Sequence, residues 1–311
     1  MGTKGLGSRE IIGEFYNRLE QDIGQTYIPL ISNFFPSDQE SETYKWLGMA
    51  PAMREWIGGR QAKGFRENGL TITNKKFEAT LEVLVDELRR DKTAQIMVRI
   101  AELAGRVNAH WAKLLTSLLV SNGFAYDGQN FFDIDHLEGE SGAQSNAITS
   151  NVVTPGAPTT GEFETAILDA VEQILGFKDD VGEPMNEEAR QFLVIVGTPH
   201  LSVASAALRS AVVVEAGQAR TSTLVNLAGF GFQVAPSVRL NALAAANKFL
   251  VFRTDAESKA LIRQEEEALS IAAIAEGSEL EFNEDKHHYG VKAIRNVGYG
   301  FWQRACQVEL I

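Results

Sequence analysis

The chain has 311 residues, of which 44% are hydrophobic and 23% charged, a composition that supports a large folded core and excludes a disordered or fibrous protein. Its formal net charge of −12 disfavours proteins that grip nucleic acid or an anionic membrane surface. The single cysteine, Cys306, excludes an intrachain disulfide and a cysteine-based metal site, as expected in a reducing cytoplasm. No apolar run approaches the length of a membrane span, so we expect no membrane partner.

Residues 1–43 have the pattern of an arm rather than of a domain. A Gly-rich lead precedes apolar residues at helical spacing, among them Ile11, Phe15 and Leu19, which predict a helix. A second apolar patch, residues 27–35, follows. The two apolar segments are interpreted as anchor points of an N-terminal arm.

Aromatic residues, glycines and arginines are spread through residues 44–85. Within this stretch, Asn68-Gly69 lies between strand-like segments and predicts a hairpin turn of type I′, in which both central residues take positive φ. Residues 73–85 alternate well enough to predict a long second strand. An isolated hairpin is barely stable in water, so we expect this one to pack on another element or subunit.

A single long amphipathic helix is predicted from about Thr93 to Gly123. Its apolar residues recur at steps of three and four: Ile96, Ile100, Leu103, Val107, Trp111, Leu114 and Leu118. Asn122-Gly123 supplies the left-handed residues that end helices. Such a helix would be roughly 40 Å long, and we interpret it as a strut against which separate elements pack.

Beyond a polar loop at residues 137–160, the pattern changes to alternating helix and strand. One helix is predicted from Phe163, Ile167, Val171 and Ile174, and a second begins at Thr198-Pro199. Strands are predicted at residues 192–196, 230–235 and 249–253, and in the aromatic tail from residue 278.

Two polar stretches are assigned to the surface. Residues 215–223 are predicted to form a loop that carries Gln218 and Arg220. The acidic run Glu265-Glu266-Glu267 is interpreted as the solvated face of a helix.

Few residues suggest an active site. Asp133, Asp135 and His136 could bind a divalent cation, but their short pattern also fits a structural turn, which we favour. His287 and His288 are adjacent strand residues and point to opposite faces, and Cys306 is predicted to be a core thiol. The sequence lacks a phosphate-binding loop, a dinucleotide fingerprint and a nucleophile elbow, which favours a structural role.

Four blocks resemble the major head subunit (gpT) family of Mu-like phages and prophages. They are residues 44–48 (YKWLG), 53–58 (MREWIG), 74–80 (NKKFEAT) and 126–136 (YDGQNFFDIDH). The resemblance extends over essentially the whole chain and implies an α+β fold of the Hong Kong 97 type found in phage major capsid proteins. It implies no enzyme activity, no catalytic set and no cofactor.

The same resemblance implies a domain layout. Residues 1–43 would be the N-terminal arm, 44–85 the extended loop, and 86–160 the peripheral domain with its spine helix. Residues 161–277 would form the axial domain, and 278–311 would return as strands of the peripheral domain.

As a major capsid protein, the chain would assemble with itself through pentamers and hexamers into an icosahedral shell. That shell would enclose phage double-stranded DNA without sequence-specific binding, as a virion capsid assembled in the bacterial host cytoplasm. Scaffold and portal proteins are implied as partners, and a decoration protein is left open.

Large aromatic and arginine side chains on segments that cannot bury them alone are typical of interface hot spots. We predict inter-subunit contacts at Trp46, Arg54, Trp56, Arg60, Phe65, Asn68, Gly69, Phe77, Gln218 and Arg220. Two alternatives stay open: an encapsulin-like nanocompartment shell that encloses cargo enzyme, and a metal-dependent enzyme that uses Asp133, Asp135 and His136.

Overall fold

The fold is taken from a computed structural model, which describes residues 7–21, 26–45, 69–90, 95–215 and 217–311. The helices are α1 (Ser8–Gln21), α2 (Ile28–Ile31), α3 (Val85–Arg90), α4 (Gln95–Asn108), α5 (His110–Ser121), α6 (Thr160–Gly176), α7 (Leu201–Arg209), α8 (Thr223–Asn226), α9 (Asn241–Ala245) and α10 (Glu279–Glu284). Short 3-10 helices cover Thr198–His200, Val238–Leu240 and Trp302–Arg304. In these ranges, every helix is too short or too polar to cross a bilayer.

The strands follow in the same chain order. They are β1 (Ser32–Pro36), β2 (Ser41–Tyr44), β3 (Leu70–Thr73), β4 (Lys75–Leu84), β5 (His136–Leu137), β6 (Ala143–Gln144), β7 (Ala147–Ser150), β8 (Gln191–Val196), β9 (Val212–Glu215), β10 (Gln218–Thr221), β11 (Gly231–Pro236), β12 (Lys248–Arg253), β13 (Leu261–Ile274), β14 (Lys286–Tyr299) and β15 (Ala305–Leu310).

A four-stranded sheet in the order β1-β13-β14-β4 is built on one long antiparallel hairpin. The two central strands, β13 and β14, have 14 residues each, and α10 lies at their tip. Helices α1 and α4 pack on this sheet around Ile11, Phe15, Ile100 and Tyr289, which are all fully buried. These residues form the smaller of two hydrophobic clusters.

A five-stranded mixed sheet in the order β11-β8-β12-β15-β7 carries the larger cluster. Strand β8 is a continuous apolar run that is buried from Phe192 to Val196, as expected for a strand covered on both faces. Helix α6 packs on the sheet through Phe163, Ile167 and Ile174, and its Thr159 and Glu162 form a reciprocal capping box. The helix and strand predictions over residues 163–253 are confirmed.

The predicted 93–123 helix is two helical segments, α4 and α5, joined at Ala109. The prediction of one unbroken helix is therefore wrong, although Asn122 does end α5 in the left-handed conformation. The physical reason is that the two segments bury their faces in different clusters. Segment α4 buries Ile100 in the smaller cluster, whereas α5 buries Leu115 in the larger one.

The type I′ turn predicted at Asn68-Gly69 stays a prediction, because it depends on the conformation of both residues. Strand β3 pairs antiparallel with β2, which brings Gly69 against Tyr44. A Cβ on Gly69 would lie 2.8 Å from Thr43 Cγ2, so this glycine allows two backbones to approach closely. Asn68 lies outside the described residues.

Two surface assignments are corrected. Glu265–Glu267 belong to strand β13 and not to a helix. On the paired strand β14, Arg295 lies 3.7 Å from Glu265 and Lys292 lies 2.5 Å from Glu267, so cations neutralise two of the three acids. Of the predicted loop at residues 215–223, Gln218–Thr221 form strand β10, which pairs with β9 in a hairpin.

Strand membership crosses the predicted domain limits, and β1 from the predicted arm and β4 from the predicted extended loop both lie in the four-stranded sheet. Strand β13 pairs with β14 in the four-stranded sheet, whereas β7 and β15 lie in the five-stranded sheet. Strand β14 runs beside α5, where the Tyr299 hydroxyl donates to the Leu118 carbonyl at 2.7 Å and accepts from the Gly123 N–H at 2.6 Å.

Candidate functional site

The predicted contact residues do not gather at one place. Trp46, Arg54, Trp56, Arg60, Phe65 and Asn68 lie outside the described residues. The other four lie on three elements: Gly69 precedes β3, Phe77 is on β4, and Gln218 and Arg220 are on β10.

Phe77 is a contact within the chain. Its half-buried ring meets the His110 ring edge-on, with 4.5 Å between centroids. On the neighbouring strand, Arg295 donates from Nε to His110 Nδ1 at 3.0 Å and lies over the Trp111 ring at 4.6 Å. Burial, with the charges of Arg295 and Lys113, lowers the pKa of His110 to about 4. This cluster fastens the start of α5 to the sheet.

The hairpin β9–β10 is fastened to α6 by the carboxylate of Glu164, which is fully buried. Glu164 Oε1 accepts from the Ser222 hydroxyl and the Leu224 N–H, both at 2.9 Å, and from the Thr223 N–H. Its Oε2 lies 2.9 Å from the Arg220 guanidinium. Arg220 is thus held by its own subunit and stays 32% exposed at the side chain.

Beyond the contacts with Glu164, the hairpin β9–β10 carries exposed apolar side chains. Val212 and Val214 are 59% and 49% exposed, while Val213 between them is buried. Gln218 is exposed on the partner strand. Sequence reasoning missed Glu164, although an acid next to Phe163 on the apolar face of a predicted helix is a signal that could have found it.

The proposed cation ligands do not converge. His136 is buried, with Nδ1 2.6 Å from Asp127 Oδ2 and Nε2 3.2 Å from Asn146 Oδ1. Its ring stacks on Trp302 at 4.0 Å between centroids, whereas Asp135 is exposed. Among the described residues, no three His, Cys, Asp or Glu side chains are grouped to hold a metal ion. His136 therefore acts here as a core residue.

The remaining candidates fit the structural interpretation. His287 is buried beside Glu281 at 3.3 Å, whereas His288 is on the other face of β14, 3.1 Å from Glu82. Cys306 is fully buried in β15, and burial raises the pKa of its thiol. The opposed histidines and the core thiol are confirmed.

Taken together, the long hairpin sheet backed by α1, α4 and α5 and the separate five-stranded sheet with α6 have the Hong Kong 97 type of fold found in phage capsids. The chain superposes with a TM-score of 0.53 on a chain from the procapsid of bacteriophage JBD30, at 25% identity, over 95% of this chain and 72% of that one. The predicted fold class is confirmed.

The chain belongs to the Mu-like prophage major head subunit gpT family, whose model matches residues 12–162 and 235–310. That family consists of structural capsid subunits and not of enzymes, and the predicted family membership is confirmed.

The major capsid protein of Escherichia phage Mu is 37% identical over 122 residues. This match covers 38% of the chain and 40% of the Mu protein, so the chain spans about two fifths of that relative's length.

The fold alone is shared more widely. A chain of the holo-SrpI encapsulin complex from Synechococcus elongatus PCC 7942 superposes with a TM-score of 0.50 at 10% identity, over 99% of this chain and 91% of that one. The fold therefore does not distinguish a phage head from a nanocompartment, whereas the family match favours the head.

Proposed function

We propose that this chain is a major capsid subunit that assembles with copies of itself into an icosahedral shell around phage double-stranded DNA. The observation that carries the proposal is the gpT family match over most of the chain. It is supported by the 25% identity to a procapsid chain, over 95% of the present chain. The net charge of −12 suits a container, because a lining that bound phosphates strongly would resist the movement of DNA.

Within the subunit, we propose that the four-stranded sheet with α4 and α5 is the peripheral domain. The five-stranded sheet with α6 and α7 is the axial domain, whose exposed hairpin β9–β10 contacts neighbours around five-fold and six-fold axes. Residues 1–43 and 44–85 are the arm and the extended loop, and each contributes one edge strand, β1 and β4, to the peripheral sheet. Contacts that close by rotation produce rings, and rings of five and six close a shell.

The partners follow from the same proposal. The predicted contact residues other than Phe77 meet neighbouring copies, with Arg220 acting through the placement of its hairpin. Scaffold and portal proteins, and a decoration protein where one exists, join the shell in the bacterial host cytoplasm.

Negative-stain electron microscopy of the protein, expressed with the head-assembly genes of its own genome, tests the proposal. We expect closed shells that contain nuclease-resistant DNA after infection or induction. Particles that carry a cargo enzyme in place of DNA would support the nanocompartment alternative. A preparation that forms no particle larger than a ring would contradict a shell role.

A further inference from the structure

A groove of about 850 Å³ opens between α4–α5 and the β4 side of the four-stranded sheet. Its floor is apolar and includes Leu103, Val107 and Val291. Strand β4 is the edge strand of that sheet, so the groove lies at a margin of the subunit.

A row of cations follows the groove. Arg99, Arg106 and Lys113 recur every seven residues, which places them on one side of α4–α5, and Arg239 joins them from a neighbouring turn. All four are exposed, and none forms an ion pair with any residue in the described ranges. Two acids, Glu78 and Glu102, also line the groove, so these four cations leave it with a net positive charge that suits an acidic partner.

The tip of the β13–β14 hairpin is acidic and carries an exposed aromatic ring, which complements the apolar floor and the cations of the groove. Phe282 in α10 is 90% exposed, the highest value among the large apolar side chains of the described residues. Glu279 precedes it by three residues and Asp285 follows by three, and both are exposed. Glu279 lies one helical turn before Phe282, and Asp285 is the left-handed residue that ends the helix, so the tip carries an exposed aromatic ring with a carboxylate on either side in sequence.

This tip is held away from the groove of its own subunit. The Val85 N–H donates to the Asp285 carbonyl at 3.0 Å, and the Gly277 N–H donates to Glu281 at 2.6 Å. Along β14, Asp285 and Val291 are six residues apart, about 20 Å in a strand. An occupant with these features must therefore come from another molecule.

We propose that the α10 tip of one copy docks in the cationic groove of a second copy, with Phe282 on the apolar floor and Glu279 and Asp285 facing the rim cations. The contact rests on the proposed function, because a head-to-tail contact between copies propagates into rings and shells. The apolar floor favours this tip over nucleic acid, since a phosphate backbone has no apolar group to place there.

A cysteine pair tests the contact directly. Phe282→Cys combined with Glu102→Cys, on the exposed groove side of α4, should form an inter-subunit disulfide when assembled shells are exposed to oxygen. The native thiol, Cys306, is buried and gives no background. We expect a ladder of linked subunits on non-reducing gels from the double variant and monomers from each single variant. Dimers from Phe282→Cys alone, or shells without a ladder, would overturn the proposal.

A charge exchange supplies the second test. Glu279→Lys and the pair Arg99→Glu with Arg106→Glu should each lower the shell yield about tenfold, the factor that a modest loss of contact affinity produces. Combining them should restore much of the yield, and Asn283→Lys, exposed on the same short helix, should have no effect.

The outcomes separate the two proposals. If the wild-type chain forms shells and the exchanged pair recovers nothing, the docking proposal fails while the shell function stands. If the groove variant forms shells at full yield but loses packaged DNA, the groove belongs to nucleic acid and the docking proposal is wrong. If the wild-type chain forms no shells, the proposed function itself fails.

Discussion

His136 is the centre of a buried polar network that joins the middle of the chain to its last segment. Asn146 accepts from the Asp133 N–H at 2.9 Å and donates to the Phe131 carbonyl at 2.7 Å, while His136 stacks on Trp302. Buried polar groups stabilise a fold only when every partner is present. His136, which the sequence suggested as a metal ligand, thus stabilises the packing of these loops.

Replacing His136 with Ala should lower the free energy of unfolding by about 3 kcal/mol, because Asp127 would stay buried without its partner. Asp135→Ala is the matched control, and an exposed side chain should cost less than about 0.5 kcal/mol. Urea denaturation of the unassembled subunit measures both. Equal, small losses together with stoichiometric binding of a divalent cation would instead favour the metal site.

His110 should make stability depend on pH. The folded state holds its pKa near 4, chiefly through burial, whereas the unfolded chain binds the proton at about its ordinary pKa of 6.5. Between those values the unfolded state carries more protons, so stability is lost as pH falls from about 6.5 towards 4. His110→Asn, which can still accept from Arg295, should flatten this part of the profile. Parallel profiles for variant and wild type would contradict the assignment.

At the scale of elements, the interruption at Ala109 separates two helices, α4 and α5, that pack into different hydrophobic clusters. The buried face of α4 runs through Ile96, Ile100 and Ala104, and that of α5 through Leu115 and Leu119. The buried face of α5 is thus offset by one residue from the stripe that the sequence suggests at Leu114 and Leu118. The offset begins within α4, where Ala104 and not Leu103 is the buried residue.

This offset predicts different costs for two adjacent leucines. Leu115→Ala should lower the free energy of unfolding by about 3 kcal/mol, because a fully enclosed side chain leaves a cavity. Leu114→Ala should cost clearly less, since Leu114 is only partly buried at the edge of the cluster. Denaturant titration of both variants gives the comparison, and a larger loss at Leu114 would mean that the predicted stripe is the buried one.

The elements that sequence reasoning predicted well are those with an uninterrupted period. Phe163, Ile167 and Ile174 repeat cleanly, and residues 192–196 form an apolar run too short for a helix. The same continuity hides the interruption at Ala109, because the apolar stripe passes through that position without a gap.

Other elements escaped prediction because tertiary pairing overrides local signals. Three consecutive glutamates hide the alternation of β13. The cations that neutralise two of them lie on β14, which is paired with β13 but is more than twenty residues away in sequence. The packing of Gly69 against Tyr44 results from the pairing of β3 with β2, which no local signal indicates. The base of the β9–β10 hairpin depends on Glu164, more than fifty residues away in sequence, so its geometry could not be predicted locally.

On the scale of the whole subunit, β13 and β14 connect the two hydrophobic clusters. Leu261 and Ile262 at one end belong to the larger cluster, whereas Tyr289 and Val291 towards the tip belong to the smaller one. The two clusters are therefore joined by a pair of hydrogen-bonded strands.

The hairpin β9–β10 offers a test at this scale, because its two predicted contact residues differ in role. Arg220→Ala should lower the free energy of unfolding by about 2 kcal/mol, since the buried Glu164 carboxylate loses its cationic partner, and should also reduce shell yield. Gln218→Ala should leave stability within about 0.5 kcal/mol and reduce shell yield alone. Denaturation and particle counts separate the effects, and full yield from Gln218→Ala would exclude that side chain as a contact.

Strand β15 pairs with β12 on one side and β7 on the other, and nearly all of its residues are buried. The larger cluster therefore cannot pack completely until the chain has been synthesised as far as Leu310. A product truncated before Ala305 lacks a central strand and would be degraded as an unfolded chain. Premature termination thus removes defective copies before they can join a growing particle, which protects a structure built from many identical parts.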